Sequence, residues 1–341
     1  MRANAPAVSV VLPAYDAAGT IARAVRSVLA QTFRDFELVV VDDGSTDATA
    51  AEVRRAAAGD ARVRLVALEH RGIVPALNAG IAAARGRLIA RMDADDEMLP
   101  RRLEAQVALL AARPDVGVAS CLVEFGGDAR AAQGYALHVD WLNGLREPDE
   151  IALSRFVESP IAHPSVTFRR ELAERHGGYA DGPEPEDYEL WLRWMHAGVR
   201  FAKVPEVLLR WNDPPGRLSR TSSRYAVDAF YACKSRYLAR WLRARLNEER
   251  EVWLWGAGRA TRRRFAGLER EGVRVAGFID IDARKVGQTI AGRAVRSPEQ
   301  LPSPETAFVI GGVGVRGARE LIRASLETRG FRMGEDFVLA A

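Results

Sequence analysis

Within the first hundred residues, short apolar runs alternate with amphipathic stretches, and this alternation narrows the available folds more than any other feature of the chain. Val8-Ser-Val-Val-Leu12 is an apolar run stopped by Pro13. Behind Thr20, a residue suited to capping, Ile21, Ala24, Val25, Val28 and Leu29 recur at helical spacing. Phe36 to Val41 reads as a second buried strand that runs into Asp42-Asp43-Gly44-Ser45-Thr46-Asp47, where Gly44 permits the turn and Ser45 or Thr46 suits the next helix start. The unit returns at Val63 to Leu68 with a helix around Val74 to Ala84, and a fourth run follows at Leu88 to Met92. Four strands alternating with three helices predict an α/β fold with a parallel sheet.

Ligands of such a sheet bind in the crevice beyond the carboxyl ends of its strands. Pro13, Ala14, Tyr15, Asp42, Asp43 and the run Asp93 to Asp96 all fall at those ends, so residues scattered in sequence converge on one edge. Asp93, Asp95 and Asp96 crowd three carboxylates into four positions. Charges this close repel unless neutralised, which a hard divalent cation with oxygen ligands does most directly, so the cluster predicts a metal and nucleotide site. The competing explanation is that Asp95 or Asp96 caps a helix beginning near Pro100. Capping alone does not call for a doubled carboxylate after two different strands. Arg71 and Asn78 lie on the same predicted edge; Arg71 is either a ligand contact or a solvated turn residue, and Asn78 either a ligand contact or a cap for backbone groups.

Val8-Ser-Val-Val-Leu-Pro-Ala-Tyr15, Ser27-Val-Leu-Ala-Gln-Thr32, Glu37-Leu-Val-Val-Val-Asp-Asp-Gly-Ser-Thr-Asp47 and Ala90-Arg-Met-Asp-Ala-Asp-Asp96 resemble the signature blocks of family 2 glycosyltransferases with the GT-A fold. The resemblance covers about residues 6 to 220. It implies a nucleotide-diphospho-sugar donor, Mn2+ or Mg2+ as cofactor, and inversion at the anomeric carbon. Asp42 and Asp43 match positions that contact base and ribose, while Asp93, Asp95 and Asp96 match the motif that holds ribose and metal. The extra carboxylate leaves the alignment ambiguous by one; Asp95 is taken as the direct ligand, with Asp96 beside it. Pro13, Ala14, Tyr15, Arg71 and Asn78 complete the expected donor edge.

Farther on, His163 precedes an apolar run to Phe168 that reads as a strand, and Glu186-Asp187 precedes Leu190, Trp191, Trp194 and Met195 on one helical face. An acidic pair favoured by the helix dipole explains Glu186 and Asp187 without function. The resemblance makes Asp187 the general base, with Glu186 supporting it or contacting the acceptor. Chemistry agrees: a metal neutralises the leaving diphosphate, so one base suffices, whereas a glycoside hydrolase needs a paired acid and base. Arg210 and the Arg217 to Arg220 loop resemble the segment that closes over the donor diphosphate, and Arg210 is taken as the phosphate contact. Residues 126 to 158 lose clear periodicity; by the resemblance they shape the acceptor side, a glycan or lipid-linked hydroxyl.

A chain of 341 residues is too long for one ordinary core. The boundaries expected are a GT-A domain over 1–221, a helical linker over 222–249 and a Rossmann-like domain over 250–341. The linker interleaves Tyr237, Leu238, Trp241 and Leu242 with arginines, which suits packing between domains or a peripheral contact with the inner face of a membrane. In the last domain Gly256 and Gly258 follow an apolar run, with Asp280 at a distance suited to a ribose contact, although Thr261 stands where a dinucleotide fingerprint has its third glycine. The region resembles small Rossmann-like domains attached to sugar-modifying enzymes, implying a degenerate or regulatory nucleotide module or a homo-oligomerisation element. A net charge of +4 with basic and acidic residues interspersed excludes a nucleic-acid stripe. Cys121 and Cys233 lack metal or redox spacing, and neither a signal-peptide order nor a membrane-length apolar run occurs, so the expectation is a cytoplasmic chain. The alternatives to a transferase are a non-catalytic nucleotide-sugar sensor or assembly subunit and an NAD-linked sugar oxidoreductase centred on Gly256 and Gly258.

Overall fold

The computed structural model describes residues 5–341 apart from 129, 131, 215 and 248. The chain divides into two units, Met1–Ile151 with Ile161–Ser222, and Ala152–Pro160 with Ser223–Ala341.

The first unit opens with the expected alternation: β1 (Val8–Ala14), α1 (Ile21–Leu29), β2 (Phe36–Asp42), α2 (Thr49–Ala57), β3 (Val63–Ala67), α3 (Ile73–Ala83) and β4 (Leu88–Arg91). β1 pairs in parallel with β2 from Val8↔Phe36 to Ala14↔Asp42, and on its other side with β4 from Val8↔Leu88. Its central place follows from two-sided burial. Val8, Val10 and Leu12 pack with Ile21, Val25 and Val28 of α1, while Val11 faces the opposite layer, which holds Leu77 of α3. Each such buried side chain contributes about 1.5–3 kcal/mol. Gly80 lets α3 lie close on the sheet, because a Cβ there would stand 2.4 Å from Val11 Cγ1.

The unit continues through β5 (Glu97–Met98), α4 (Arg102–Ala112), β6 (Val116–Phe125), α5 (Gln133–Gly144), the start of α6 (Pro148–Ser154), whose residues from Ala152 belong to the second unit, β7 (Thr167–Arg169), α7 (Arg170–His176), α8 (Glu186–His196), β8 (Arg200–Trp211) and α9 (Leu218–Thr221). The sheet order is β3-β2-β1-β4-β7-β6-β8-β5, with β7 antiparallel to both neighbours. Trp191 and Trp194 of α8 are fully buried in the layer that holds Val11.

Several local expectations change. Thr20 makes no side-chain cap, its hydroxyl donating to Ala17 O at 3.4 Å instead. The start of α2 is held by Asp47, whose carboxylate accepts the Thr49 N–H at 2.8 Å, rather than by Ser45 or Thr46. His163 begins a 3-10 turn, His163–Ser165, ahead of the strand. The aperiodic region contains α5, of which only Val139 and Leu142 are buried, so there was little apolar stripe to detect.

The second unit comprises α10 (Val227–Arg243), β9 (Glu251–Trp255), α11 (Arg259–Phe265), α12 (Gly267–Arg270), β10 (Val275–Ile279), β11 (Thr289–Ile290), β12 (Arg293–Arg296), β13 (Ala307–Gly311), α13 (Ala318–Thr328) and β14 (Phe337–Leu339), with a 3-10 turn, Ser223–Tyr225, ahead of α10. Its sheet order is β11-β12-β10-β9-β13-β14, parallel except for the β11–β12 pair. The helix expected as a linker belongs to this unit: Tyr237, Leu238, Trp241 and Leu242 are buried, which removes the exposed amphipathic face. Lys234, also buried, donates to Val157 O and Ala340 O at 2.9 Å each and so ties residues 152–160 and the last strand to α10. Among the described residues no helix is long and apolar enough to cross a membrane.

Candidate active site

The parallel strands deliver their carboxyl ends to one edge, and three acidic groups gather there. Asp42 closes β2, and its Oδ1 accepts the Ser45 N–H at 3.0 Å. Asp43 follows; its carboxylate accepts the backbone N–H of Arg71 at 3.0 Å and of Gly72 at 2.8 Å, and meets His70 Nδ1 at 2.9 Å. Asp43 thereby holds the loop between β3 and α3 against the end of β2. Tyr15, half exposed just beyond β1, stacks on the His70 ring with centroids 3.9 Å apart. Pro13 and Ala14 lie within β1 opposite Val41 and Asp42. Arg71 reaches this loop through its backbone and its residue is exposed.

Past β4 the chain turns through Asp93, Asp95 and Asp96, whose carboxylates each bring an oxygen within 4.8 Å of the others. The capping explanation fails, since α4 begins at Arg102 with no side-chain cap and Asp96 Oδ1 instead accepts the backbone N–H of Asn212 at 2.8 Å. The Asn212 side chain also donates to Asp95 O at 2.8 Å. Asp96 Oδ2 is buried with no hydrogen-bond partner. Burial, and then the charge of Asp93, push the Asp95 carboxyl up to about 6 despite Arg217 and Arg91. Asp96 is pushed well above its ordinary value by burial, then by Asp93 and Asp95. An orphaned carboxylate oxygen among mutually repelling acids fits a divalent cation, whose charge would reverse these shifts.

Arg91, buried at the end of β4, pairs with Asp93. Its charge also acts on Tyr179, His163 and Asp187, so one guanidinium lies within electrostatic reach of both the acidic cluster and the start of α8. There Asp187 Oδ1 accepts the Tyr188 N–H at 2.7 Å. Burial and then Glu186 push the Asp187 carboxyl up to about 7, against Arg91 and that N–H. A carboxylate titrating near neutrality is poised to accept a proton. Behind it His163 Nε2 lies 2.7 Å from the Tyr179 hydroxyl and Nδ1 lies 3.9 Å from Glu186 Oε1. Burial and then Arg91 hold His163 well below its usual range, so it is neutral. Asn78 faces this segment and not an open edge: Nδ2 donates to Tyr179 O at 2.9 Å and Oδ1 accepts Tyr179 N–H at 3.0 Å, the backbone-capping alternative.

Arg210 is exposed and paired with Glu124, Nε to Oε2 at 3.2 Å, because β8 sets it beside β6. Arg217 is a second cation, in addition to Arg91, whose charge reaches Asp95 and Asp96; its guanidinium lies 4.4 Å over the Trp211 ring, with Nη1 3.9 Å from Asp213 Oδ1. Arg91, Tyr179 and Asn212 were not singled out from the sequence, whereas Arg217 belongs to the loop that the sequence resemblance had marked beside Arg210. Arg91 lies inside the Ala90 to Asp96 block, a usable signal; Asn212 is 116 residues from Asp96 and carried none. In the second unit Gly256 has φ +118°, and Asp280 Oδ2 accepts the Ala257 N–H and Lys285 Nζ, each at 3.0 Å, so the glycine turn and the acidic residue do meet.

The family described as "Glycosyl transferase family 2" matches residues 9–177. The succinoglycan biosynthesis protein ExoO of Rhizobium meliloti is 35% identical over 247 residues, 69% of this chain and 69% of that protein. The O-antigen biosynthesis glycosyltransferase WbnJ of Escherichia coli is 28% identical over 226 residues, 64% of this chain and 82% of the other. Among solved structures, mannosyltransferase PcManGT from Pyrobaculum calidifontis, in complex with GDP-Man and Mn2+, has 25% identity and a TM-score of 0.51, with 70% of this chain and 64% of that one covered. S. aureus TarS 1-349 in complex with UDP-GlcNAc shares the fold at a TM-score of 0.55 and 20% identity, with 71% and 68% covered. With the four parallel strands that open its mixed sheet, its carboxylate-lined edge and a relative this similar over this length, the chain belongs to glycosyltransferase family 2.

Proposed function

We propose that the chain moves a sugar from a nucleotide-diphospho-sugar to a hydroxyl of a growing glycan or lipid-linked acceptor, with inversion at the anomeric carbon. Asp187 takes the acceptor proton; the freed oxygen attacks the anomeric carbon opposite the diphosphate, and the breaking bond's electron pair leaves with the nucleoside diphosphate. Asp95 and Asp96, with Asp93, would hold Mn2+ or Mg2+, which supplies neutralising charge to the leaving diphosphate. Arg217 adds a guanidinium to the same region, and Glu186, whose Oε1 lies 3.9 Å from His163 Nδ1, supports Asp187 or contacts the acceptor. The observation that carries this reading is the carboxylate cluster: Asp93, Asp95 and Asp96 bring oxygens within 4.8 Å of one another, and Asp96 Oδ2 is buried with no hydrogen-bond partner. The Mn2+ and GDP-Man held by the mannosyltransferase, and the sugar nucleotide held by TarS, support the donor class.

The test is a thermal-shift panel of UDP- and GDP-sugars with and without Mn2+, followed by product analysis with glycan acceptors. The expected result is a donor-dependent rise that needs the cation, is lost in Asp95→Ala and accompanies transfer in wild type. Donor binding indifferent to both EDTA and Asp95→Ala refutes the metal assignment, and binding without turnover favours the sensor alternative.

A further inference from the structure

The second unit contains a hollow of about 320 Å³ backed by Leu254 and Phe278 and rimmed by Arg259, Arg262, Arg263 and Arg293. That volume lies at the small end of ligand pockets. Arg259, Arg262 and Arg263 stand at i, i+3 and i+4 on α11, a spacing that sets them along one face. Like charges so placed repel, and nearby acids answer them incompletely. Arg263 reaches Asp228 at 3.6 Å, but the two side chains are 72% and 77% exposed, so the pair is screened by water. Arg293 pairs with Glu269, the acidic residue of the rim. Arg262 directs Nε to Ala257 O at 3.0 Å. Among the described residues neither Arg259 nor Arg262 has a carboxylate within ion-pair distance.

We propose that this hollow binds a phosphate-bearing ligand, with its phosphate or diphosphate clasped by the arginines of α11 and Arg293 and its uncharged part resting on Leu254 and Phe278. The planar guanidinium fork matches phosphate oxygens in pairs, and several arginines converging on one concavity supply the charge that a phosphoester requires. The apolar backing suits a ligand that is more than a bare anion. Nucleoside phosphates and phospholipid headgroups share this chemistry. The site lies wholly within the second unit and does not depend on the donor reading.

The test uses the full chain in EDTA, which strips cations from the carboxylate cluster. Inorganic pyrophosphate is titrated calorimetrically, and retention is measured on phosphatidylcholine vesicles with and without phosphatidic acid. Saturable, salt-sensitive pyrophosphate binding is expected, weakened at least about tenfold in Arg259→Gln/Arg263→Gln and retained in Asp95→Ala. Arg293→Gln, on a separate element, is expected to weaken it too and keeps the test valid if the double variant melts early. Phosphatidic-acid retention that falls in the same variants identifies a lipid headgroup as the source; pyrophosphate binding without retention identifies a small phosphate compound. Wild type that neither binds pyrophosphate nor is retained on either vesicle overturns the proposal, as does binding of equal strength in wild type and both variants.

Discussion

Replacing Asp187 with Asn exchanges an ionisable carboxyl for a neutral amide of nearly the same shape, and two measurable quantities should respond in opposite directions. The carboxyl is pushed from an ordinary 3.8 up to about 7 in the folded chain, chiefly by burial and then by Glu186. A shift of roughly three units is equivalent to about 4 kcal/mol. Because Glu186 and Asp187 titrate as a pair, about half of that is assigned to Asp187. The sign follows from linkage: with the folded value raised, the favourable contribution is complete below the unfolded value and is lost as pH rises through about 7. Asn does not titrate, so Asp187→Asn should match wild type near pH 4 and exceed it by about 2 kcal/mol near pH 8.5, read from urea unfolding followed by the tryptophans of α8. Activity should move the other way, because removing a general base costs about 10²- to 10⁴-fold in turnover. In wild type, kcat/KM should fall as pH drops through about 7, a limb that belongs to the Glu186–Asp187 pair and not to one residue alone. Turnover within about threefold of wild type, or an acid limb centred near the ordinary aspartate value, would refute the assignment.

Asn78→Ala removes both hydrogen bonds to the Tyr179 backbone and should lower unfolding stability by about 2–3 kcal/mol, with kcat falling as the segment leading to α8 loosens; an unchanged urea midpoint would show the clamp to be dispensable. Gly80→Ala should destabilise by about 1–3 kcal/mol despite better helix propensity, because the new methyl meets Val11 Cγ1 at 2.4 Å and Val41 Cγ2 at 3.2 Å in a fully buried layer; calorimetry reads the drop in Tm. Arg217→Gln should raise KM for the donor about tenfold or more, while Arg210→Gln should leave it nearly unchanged; the reverse order would return the phosphate contact to Arg210.

The βα order, the parallel pairing of the first four strands and the strand ends that carry Asp42, Asp43 and the acidic cluster were legible in the sequence. Each depends on local periodicity and on the rule that parallel strands send their carboxyl ends one way. Helix starts were read less well. Thr20 and Ser45 had the right chemistry for caps, but Asp47 took the second role and Thr20 turned back to Ala17. The α5 segment was missed because a helix with two buried residues imposes almost no period on its sequence.

By itself the sequence determined which residues would line the edge of the first sheet, since strand direction and glycine turns are decided within a few residues of each position. Only the tertiary structure decided what each does there. It committed Asn78 to the Tyr179 backbone, gave Arg210 to Glu124, laid Arg217 over Trp211 within electrostatic range of the cluster and set Arg91 within reach of both acidic groups. It also placed the supposed linker inside the second unit, through a buried Lys234 whose partners are 77 and 106 residues away. The physical reason is one of range. Periodicity reports burial a turn or a strand at a time, whereas a charge finds its partner through space, among residues whose separation along the chain carries no trace of the meeting.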